Sequence, residues 1–381
     1  MDLSGLLPAD ALSHLDRCAF CRRDAEIVPG FVAGHEAAMC GDCAAVLADE
    51  LSEHRHELLL RRVRQLPRPT AIRAALDGSV VGQDRAKRAL AVQAYNHYKR
   101  LAWRILQPGM PGPGKANVLL TGPTGSGKTH LVATLAHRLE VPFAVVDATA
   151  LTGAGGGGAG PEAIARGLLR DCDWDAALAG RGVVYLDEID KLAEADGEGR
   201  GTAAQQALLS CLEGRVVSVA RANGRRVDVD TADILFIAGG SFCNCALPGA
   251  ADAQAAALRP ELAARFPVCV PLTEPGGTEL DTMLTEPPDA PLRQARALLA
   301  MDGCDLWVSE AARAQLVAAA QERGSGARGL RAVVERALLP AYFAAPACPG
   351  LRAVQLEAGA SEPVTRLITA TPQQQRARPA A

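Results

Sequence analysis

The sequence predicts an α/β protein with a parallel sheet in its middle part, a small, mainly helical domain after it and a cysteine-bearing module before it. Between Ile72 and about Pro271, short apolar runs alternate with amphipathic helical segments, a pattern typical of a parallel sheet covered by helices. The chain then becomes rich in Ala, Leu and Arg, interrupted by the short apolar run Asp305–Val308. Two Cys-x₂-Cys pairs lie N-terminal to the predicted α/β region.

These changes in composition along the chain define the predicted strands and domain boundaries. The clearest strand candidates are Asn117–Leu120, Phe143–Val146, Val183–Leu186 and Ile234–Ala238. The predicted domains are a cysteine module at 13–48, a linker at 49–70, a large domain at 71–273, a small helical domain at 274–345 and a C-terminal segment at 346–381. The linker holds a charged helical segment, Asp49–Arg64, and the tail beyond Glu362 is predicted to be disordered because it is rich in Thr, Pro, Gln and Arg.

Composition excludes several classes of protein. Hydrophobic residues make up 49% of the 381 residues and aromatic residues only 4%, which is globular and favours helices. The net charge of −3 gives no basic field for nucleic acid or a membrane surface. No run approaches the ~18 apolar residues of a membrane span, and the first residues lack the features of a signal peptide. We therefore expect a cytoplasmic protein whose eleven cysteines lie in a reducing compartment.

A phosphate-binding loop is the strongest motif in the chain. Residues 122–129 fit G-x-x-x-x-G-K-[ST] in full, between a predicted strand and the helical segment His130–Leu139. In such a loop, backbone N–H groups and the positive end of the helix surround phosphate oxygens. The predicted phosphate-contacting residues are Gly122, Pro123, Thr124, Gly125, Ser126, Gly127, Lys128, Thr129 and His130. Lys128 is expected to reach the β- and γ-phosphates of ATP, and Thr129 to bind Mg²⁺.

Two adjacent carboxylates follow a buried strand. Asp187 and Glu188 come directly after the apolar run Val183–Leu186. Asp187 is predicted to hold the magnesium ion, and Glu188 to polarise a water molecule that attacks the γ-phosphate. A solvated acidic turn is the alternative for this pair considered alone. Together with a complete phosphate loop, the two carboxylates favour ATP hydrolysis over transfer to a hydroxyl substrate.

Four cysteines are spaced for one metal ion. Cys18 and Cys21 form the first C-x₂-C pair, Cys40 and Cys43 the second, and eighteen residues separate the pairs. Four thiolates complete a tetrahedral zinc shell and leave no open position, so the site is predicted to be structural. Binding of Zn²⁺ would then supply the folding free energy that so short a module lacks. A redox role for either pair is the alternative.

Several motifs together resemble those of the ClpX family. They are Val81-Gly82-Gln83, residues 95–100 (YNHYKR), the phosphate loop, residues 186–191 (LDEIDK) and residues 326–331 (GARGLR), all in family order. The resemblance implies an AAA+ ATPase that forms a hexameric ring of identical subunits and unfolds protein substrates for a ClpP peptidase. It also implies that the four-cysteine module is a ClpX-type zinc-binding domain that docks substrates and adaptors.

The same resemblance implies further site residues. Val80 and Val81 fall where the family packs the adenine base. Arg265, in Pro260-Glu261-Leu-Ala-Ala-Arg265-Phe-Pro, resembles the arginine finger that completes the ATP site of the neighbouring subunit. Arg328 resembles the sensor arginine of the small domain, which reports the nucleotide state within its own subunit. A guanidinium suits the charge that develops on a transferred phosphoryl group.

The chain departs from the family pattern in its loops. The family grips substrate with an aromatic-hydrophobic pair, but residues 155–158 here are four glycines, which have no bulk to press against a polypeptide. Residues 193–204 match the second pore loop of the family but contain no aromatic residue. The segment 242–258 is too short for the family's peptidase-docking loop, and this argues against a ClpP-like partner. The shortened region with Arg215, Arg221, Arg225 and Arg226 resembles a pore-entrance loop or is a solvated basic hairpin.

Two functions of different classes follow. One is a ClpX-like ATPase that remodels or unfolds protein partners with ATP and Mg²⁺. The other is a nucleotide-gated scaffold or adaptor that assembles but translocates nothing.

Overall fold

The structure is a computed structural model that describes residues 16–28, 30–33, 37–152, 160–194, 200–222, 224–242, 258–323, 326–348, 350–360 and 362–369. The chain divides into two compact units, residues 1–66 with 101–112 and residues 67–100 with 113–381. Within the described ranges, none of the helices combines the length and apolar character that a bilayer crossing requires.

The first unit is built on a short hairpin and a long helix. Strands β1 (Phe31–Ala33) and β2 (Ala38–Cys40) pair antiparallel, and α1 (Gly41–Gln65) follows at once. The buried side chains around the hairpin are few, Cys18, Val28 and Cys40. Helix α1 runs without a break through residues 48 and 49, where the sequence placed the boundary between module and linker. The expected helical segment therefore begins earlier, inside the cysteine module.

A five-stranded sheet forms the core of the second unit. Its order is β4-β5-β8-β3-β9, and every pairing is parallel. The strands are β3 (Val118–Thr121), β4 (Phe143–Asp147), β5 (Val183–Asp187), β8 (Leu235–Gly240) and β9 (Val268–Pro271). The predicted α/β class is confirmed, and the four strand candidates lie within two residues of their observed limits. Strand β9 was not singled out because it is short and ends in a proline, which an edge strand tolerates.

Helices and one hairpin surround this sheet. The helices are α2 (Pro69–Asp77), α3 (Asp84–Leu106), α4 (Lys128–Leu139), α5 (Pro161–Asp171), α6 (Ala176–Ala179), α7 (Lys191–Glu194), α8 (Arg200–Glu213) and α9 (Pro260–Ala263), and a 3₁₀ turn spans Ala148–Thr152. Strands β6 (Val216–Ala220) and β7 (Arg226–Asp230) form an antiparallel hairpin. Strands β3 and β8 are buried along their whole length, so their carboxyl ends are held rigidly where the phosphate loop begins.

The C-terminal part contains helices and a small sheet. Its helices are α10 (Gly277–Thr285), α11 (Pro291–Met301), α12 (Glu310–Glu322) and α13 (Gly326–Ala344), and its strands are β10 (Asp305–Val308), β11 (Leu351–Glu357) and β12 (Val364–Thr369). Strand β11 pairs with both others, and its Leu351, Val354 and Leu356 are buried in the same core as α12 and α13. The small domain therefore continues past the predicted end near residue 345.

The prediction of disorder beyond Glu362 is wrong for residues 364–369, which form β12. The strand is exposed on almost every side chain, so it carries no alternating apolar pattern from which it could be predicted. Backbone pairing with β11 holds it, and the Thr365 hydroxyl donates to the Ala337 carbonyl of α13 at 2.6 Å.

Candidate functional site

The loop between β3 and α4 has the backbone of a phosphate cradle. Gly122, Gly125 and Gly127 all have positive φ, at 150°, 85° and 89°. A side chain at Gly122 would also meet the Leu272 carbonyl oxygen at 2.5 Å, so both conformation and space require glycine. Gly127 is the N-cap of α4. The loop therefore presents its N–H groups next to the positive end of a helix, which suits an anion.

Lys128 and Thr129 open helix α4 at the loop. The buried Lys128 ammonium donates to the carbonyls of Gly122 and Pro123, at 2.7 and 3.0 Å, which holds it over the loop. The Thr129 hydroxyl donates to Oδ2 of Asp187 at 3.1 Å. A hydroxyl and a carboxylate oxygen side by side are hard ligands of the kind that Mg²⁺ prefers.

The end of β5 places two carboxylates at the same cleft. Asp187 accepts from the Tyr185 hydroxyl at 3.3 Å and from the Glu188 backbone N–H at 3.0 Å, both through Oδ1. Burial and the charge of Asp187 raise the pKa of Tyr185, so its phenol stays protonated and remains a donor. Glu188 adopts a left-handed backbone conformation, with φ of 56°, which turns its side chain away from the strand direction. Lys191 donates to Glu188 Oε2 at 2.5 Å.

These groups line one cleft of about 390 Å³, and a second cavity of about 230 Å³ lies beside it. Of the predicted residues, the first is lined by Thr124, Gly125, Gly127, Lys128, Thr129, His130, Asp187, Glu188 and Arg328. The second is lined by Val80, Val81, Ser126, Gly127 and His130, together with Met283, Pro287 and Leu330. A charged cleft that joins an apolar one fits a polyphosphate with an attached base.

Three predicted residues lie outside both linings. Gly122 and Pro123 contact the cleft indirectly, as the acceptors of Lys128. Arg265 does not line either cavity of its own chain; its guanidinium forms an ion pair with Glu213.

Two further residues, Asp190 and Gln83, make contacts around the cleft, and their roles were not predicted from sequence. Asp190 Oδ2 accepts from the Ser241 hydroxyl at 2.7 Å and from the Ser241 N–H at 3.1 Å, which fixes the end of β8 against the acidic turn. The Gln83 amide donates to the Thr273 carbonyl at 2.7 Å and accepts from the Thr273 N–H at 3.2 Å. Asp190 and Gln83 stood inside motifs already noted; their partners lie 51 and 190 residues away along the chain.

The four predicted metal ligands converge. The Sγ atoms of Cys18, Cys21, Cys40 and Cys43 all lie within 4.8 Å of one another, and those of Cys21 and Cys40 are 3.6 Å apart. A zinc ion with bonds of ~2.3 Å in a tetrahedron requires sulfurs roughly 3.8 Å apart. The donor set therefore fits zinc. Convergence of all four on one point also favours a single metal over two separate redox pairs.

The electrostatics of the cluster favour the thiolate form of Cys18 and Cys21. The Cys21 backbone N–H, followed by that of Cys40, lowers the pKa of Cys18 to about 6. The guanidinium of Arg23 donates to Cys21 Sγ at 3.3 Å and to Asp42 at 2.8 Å. The pKa of Cys43 is instead raised to about 12, chiefly by the hydrogen bond between its thiol and the Cys40 side chain. A bound metal ion would take the place of the thiol proton, because metal-bound cysteines are ionised.

Two arginines of the basic hairpin region make contacts within the chain. Arg226 donates to the Ser218 hydroxyl and carbonyl, both at 2.8 Å, and Arg221 lies over the Trp174 ring at 5.0 Å. Both interpretations of the hairpin stay open. The glycine run at 155–158, the central part of the second pore-loop match at 195–199 and the segment 243–257 lie outside the described residues.

Comparison with known families identifies the class of protein. The family model of the AAA domain (Cdc48 subfamily) matches residues 114–269, the region of the phosphate loop, the acidic turn and Arg265. The protein is therefore an ATPase of the AAA+ class. The C-terminal, D2-small domain of ClpB matches residues 289–346, which include Arg328. The two matches together support an AAA+ ATPase of the Clp/Hsp100 type.

Proposed function

We propose that this AAA+ ATPase is ClpX-like and couples hydrolysis of ATP to the unfolding or remodelling of protein substrates in the cytoplasm. The observation that carries the proposal is the convergence of Lys128, Thr129, Asp187 and Glu188 on one cleft. The apolar cavity beside it, with Val80 and Val81, is the proposed place of the adenine. A protein-remodelling role rests on the Clp/Hsp100 type that the two matched domains support together.

In the proposed reaction, each residue has one task. The loop N–H groups and Lys128 bind and orient the β- and γ-phosphates. Thr129 and Asp187 would hold Mg²⁺, which neutralises charge on the phosphates when bound. Glu188 accepts a proton from the attacking water, and Lys191 holds its carboxylate in place until substrate enters. Arg328, on α13, lines the same cleft and would contact the phosphates from the small domain.

The test of hydrolysis is steady-state ATP turnover of the full chain. Glu188→Gln keeps the size of the side chain and removes the base, so we expect turnover to fall by about 10² to 10⁴-fold while nucleotide binding persists. Glu322→Gln, an exposed carboxylate outside the cleft, is the control and should turn over like wild type. Wild-type turnover no faster than that of Glu188→Gln would remove the proposal.

Assembly and partners extend the proposal. A homo-hexameric ring is proposed from the resemblance to the ClpX family. Arg265, which does not line the cleft of its own chain, would act on the nucleotide of a neighbouring subunit. The four-cysteine module is proposed to hold zinc and to dock substrates or adaptors. The segment 242–258 is too short for the peptidase-docking loop of the ClpX family, which argues against a ClpP-like peptidase as partner.

The second candidate, a nucleotide-gated scaffold, is favoured by two features of the sequence, the run of glycines at 155–158 and the segment 242–258, which is too short for a peptidase-docking loop. A single-turnover unfolding assay on a tagged fluorescent protein separates the two functions. Unfolding by wild type supports the unfoldase. Unfolding only after Gly156→Tyr and Gly157→Val are introduced supports the scaffold, because those changes supply the bulk that glycine lacks.

A further inference from the structure

The backbone at Arg265 is fixed from two sides. The Arg265 carbonyl accepts from the Asn117 side-chain amide at 3.0 Å, and the Arg265 N–H donates to the Leu262 carbonyl at 3.0 Å. Asn117 is only 2% exposed, directly precedes β3 and accepts from the Phe236 N–H of β8 at 3.4 Å. The main chain of Arg265 is thus tied to two central strands of the sheet.

Helix α8 supports the same segment. The N–H of Arg259, the N-cap of α9, donates to the side-chain oxygen of the buried Gln205 on α8 at 2.9 Å. Leu262 and Phe266, on either side of Arg265, are buried in the core that α8 shares. Helix α8 ends at Glu213. The acid that pairs with Arg265 therefore stands on the element against which the arginine segment is packed.

The Arg265 side chain is the exposed part of this arrangement. It is 50% exposed and Glu213 is 46% exposed, and their contact joins Nη2 to Oε1. An exposed ion pair contributes little to stability, so folding alone does not require it. It does restrict a side chain with much rotamer freedom, and it involves one Nη atom of the guanidinium.

We propose that Glu213 is a positioning residue for Arg265, holding its guanidinium at the angle needed to meet the nucleotide of a second copy of this chain. The inference rests on the proposed function, and it concerns how the arginine is aimed. Since a misplacement of about 1 Å can cost 10²-fold in rate, an arginine without this anchor would reach the phosphate in few of its conformations.

An experiment that mixes two kinds of variant subunit distinguishes a loss of Arg265 positioning from a loss of folding. Glu188→Gln subunits keep Arg265 but cannot hydrolyse; Arg265→Ala subunits keep an intact cleft but have no arginine. Mixed assemblies should recover ATP turnover, because the first variant donates its arginine to the cleft of the second. Glu213→Ala placed in the arginine donor should then lower the recovered kcat by about 10 to 10²-fold with little change in KM. The same change placed in the hydrolysing subunit should leave the recovered turnover in place.

Glu261→Ala removes an exposed acid on α9 that pairs with Arg259, so it should have no effect in either subunit. Glu213→Gln keeps a hydrogen-bond acceptor for Arg265. In the subunit that supplies the arginine, it should therefore preserve most of the recovered ATP turnover that Glu213→Ala loses. Equal loss in both subunits, no loss in either, or a gain would overturn the positioning role. Failure of the parent mixture to recover any turnover, with active wild type, would instead refute the trans arginine itself and this inference with it.

Discussion

Replacing Arg265 with alanine is expected to lower ATP turnover by 10³-fold or more while nucleotide affinity changes by less than about 2-fold. The reason is its location. Arg265 lines neither cavity of its own chain, so its loss leaves the phosphate loop, Thr129 and Asp187 intact. An arginine that contacts only the developing charge of the transition state lowers kcat and spares binding. Turnover and titration with a fluorescent ATP analogue measure the two effects separately.

Arg336→Ala is a matched control for this experiment. Arg336 is as exposed as Arg265, 51% against 50%, and is likewise paired with a glutamate, Glu362. It lies on α13 outside both cavities, so its replacement should leave turnover unchanged. A parallel loss of affinity and turnover in Arg265→Ala would show that the arginine serves its own cleft. Unchanged turnover would remove it from the reaction.

Loss of metal is expected to unfold the cysteine module. The buried core around Cys18, Val28 and Cys40 is too small to offset the entropy of ordering the chain. Binding of a structural zinc contributes about 10 to 16 kcal/mol in isolated zinc modules, so the metal decides whether such a unit folds. We expect about one zinc per chain in the purified protein. Chelation or Cys40→Ser should release it and expose residues 16–48 to protease.

Cys348→Ser supplies the control, because Cys348 is exposed and lies outside the cluster. It should retain zinc and the protection of residues 16–48. A protein purified without metal, whose protease resistance does not respond to chelator, would contradict the zinc assignment. Formation of Cys18–Cys21 and Cys40–Cys43 disulfides in that protein would support the redox alternative.

The phosphate cleft could be predicted from sequence because its determinants are contiguous. The glycines, Lys128 and Thr129 lie within one loop, and their chemistry permits few substitutes. The acidic turn was found in the same way, since Asp187 and Glu188 follow a strand whose apolar run is unmistakable. The four cysteines were placed by spacing alone, because a C-x₂-C pair can direct two sulfurs at one ion.

What could not be predicted depends on contacts between distant parts of the chain. Gln83 pairs with Thr273 across 190 residues, and Arg265 with Glu213 across 52, distances over which no local pattern exists. Strand β12 is exposed and held by backbone pairing, so its composition resembles that of a disordered tail. The start of α1 was not predicted because Cys43 was assigned to a turn-rich metal site. In the structure Cys43 lies in the first turn of α1.

A crystal structure of the full chain with Mg²⁺ and a non-hydrolysable ATP analogue would show whether the predicted residues surround one nucleotide. We expect the triphosphate in the cleft, with Lys128 on its β- and γ-phosphates. The Thr129 hydroxyl should lie about 2.1 Å from the metal, with Asp187 beside it, Glu188 facing the γ-phosphate and the base next to Val80 and Val81. An empty cleft at saturating nucleotide, or a nucleotide held elsewhere while these side chains point apart, would contradict this expectation.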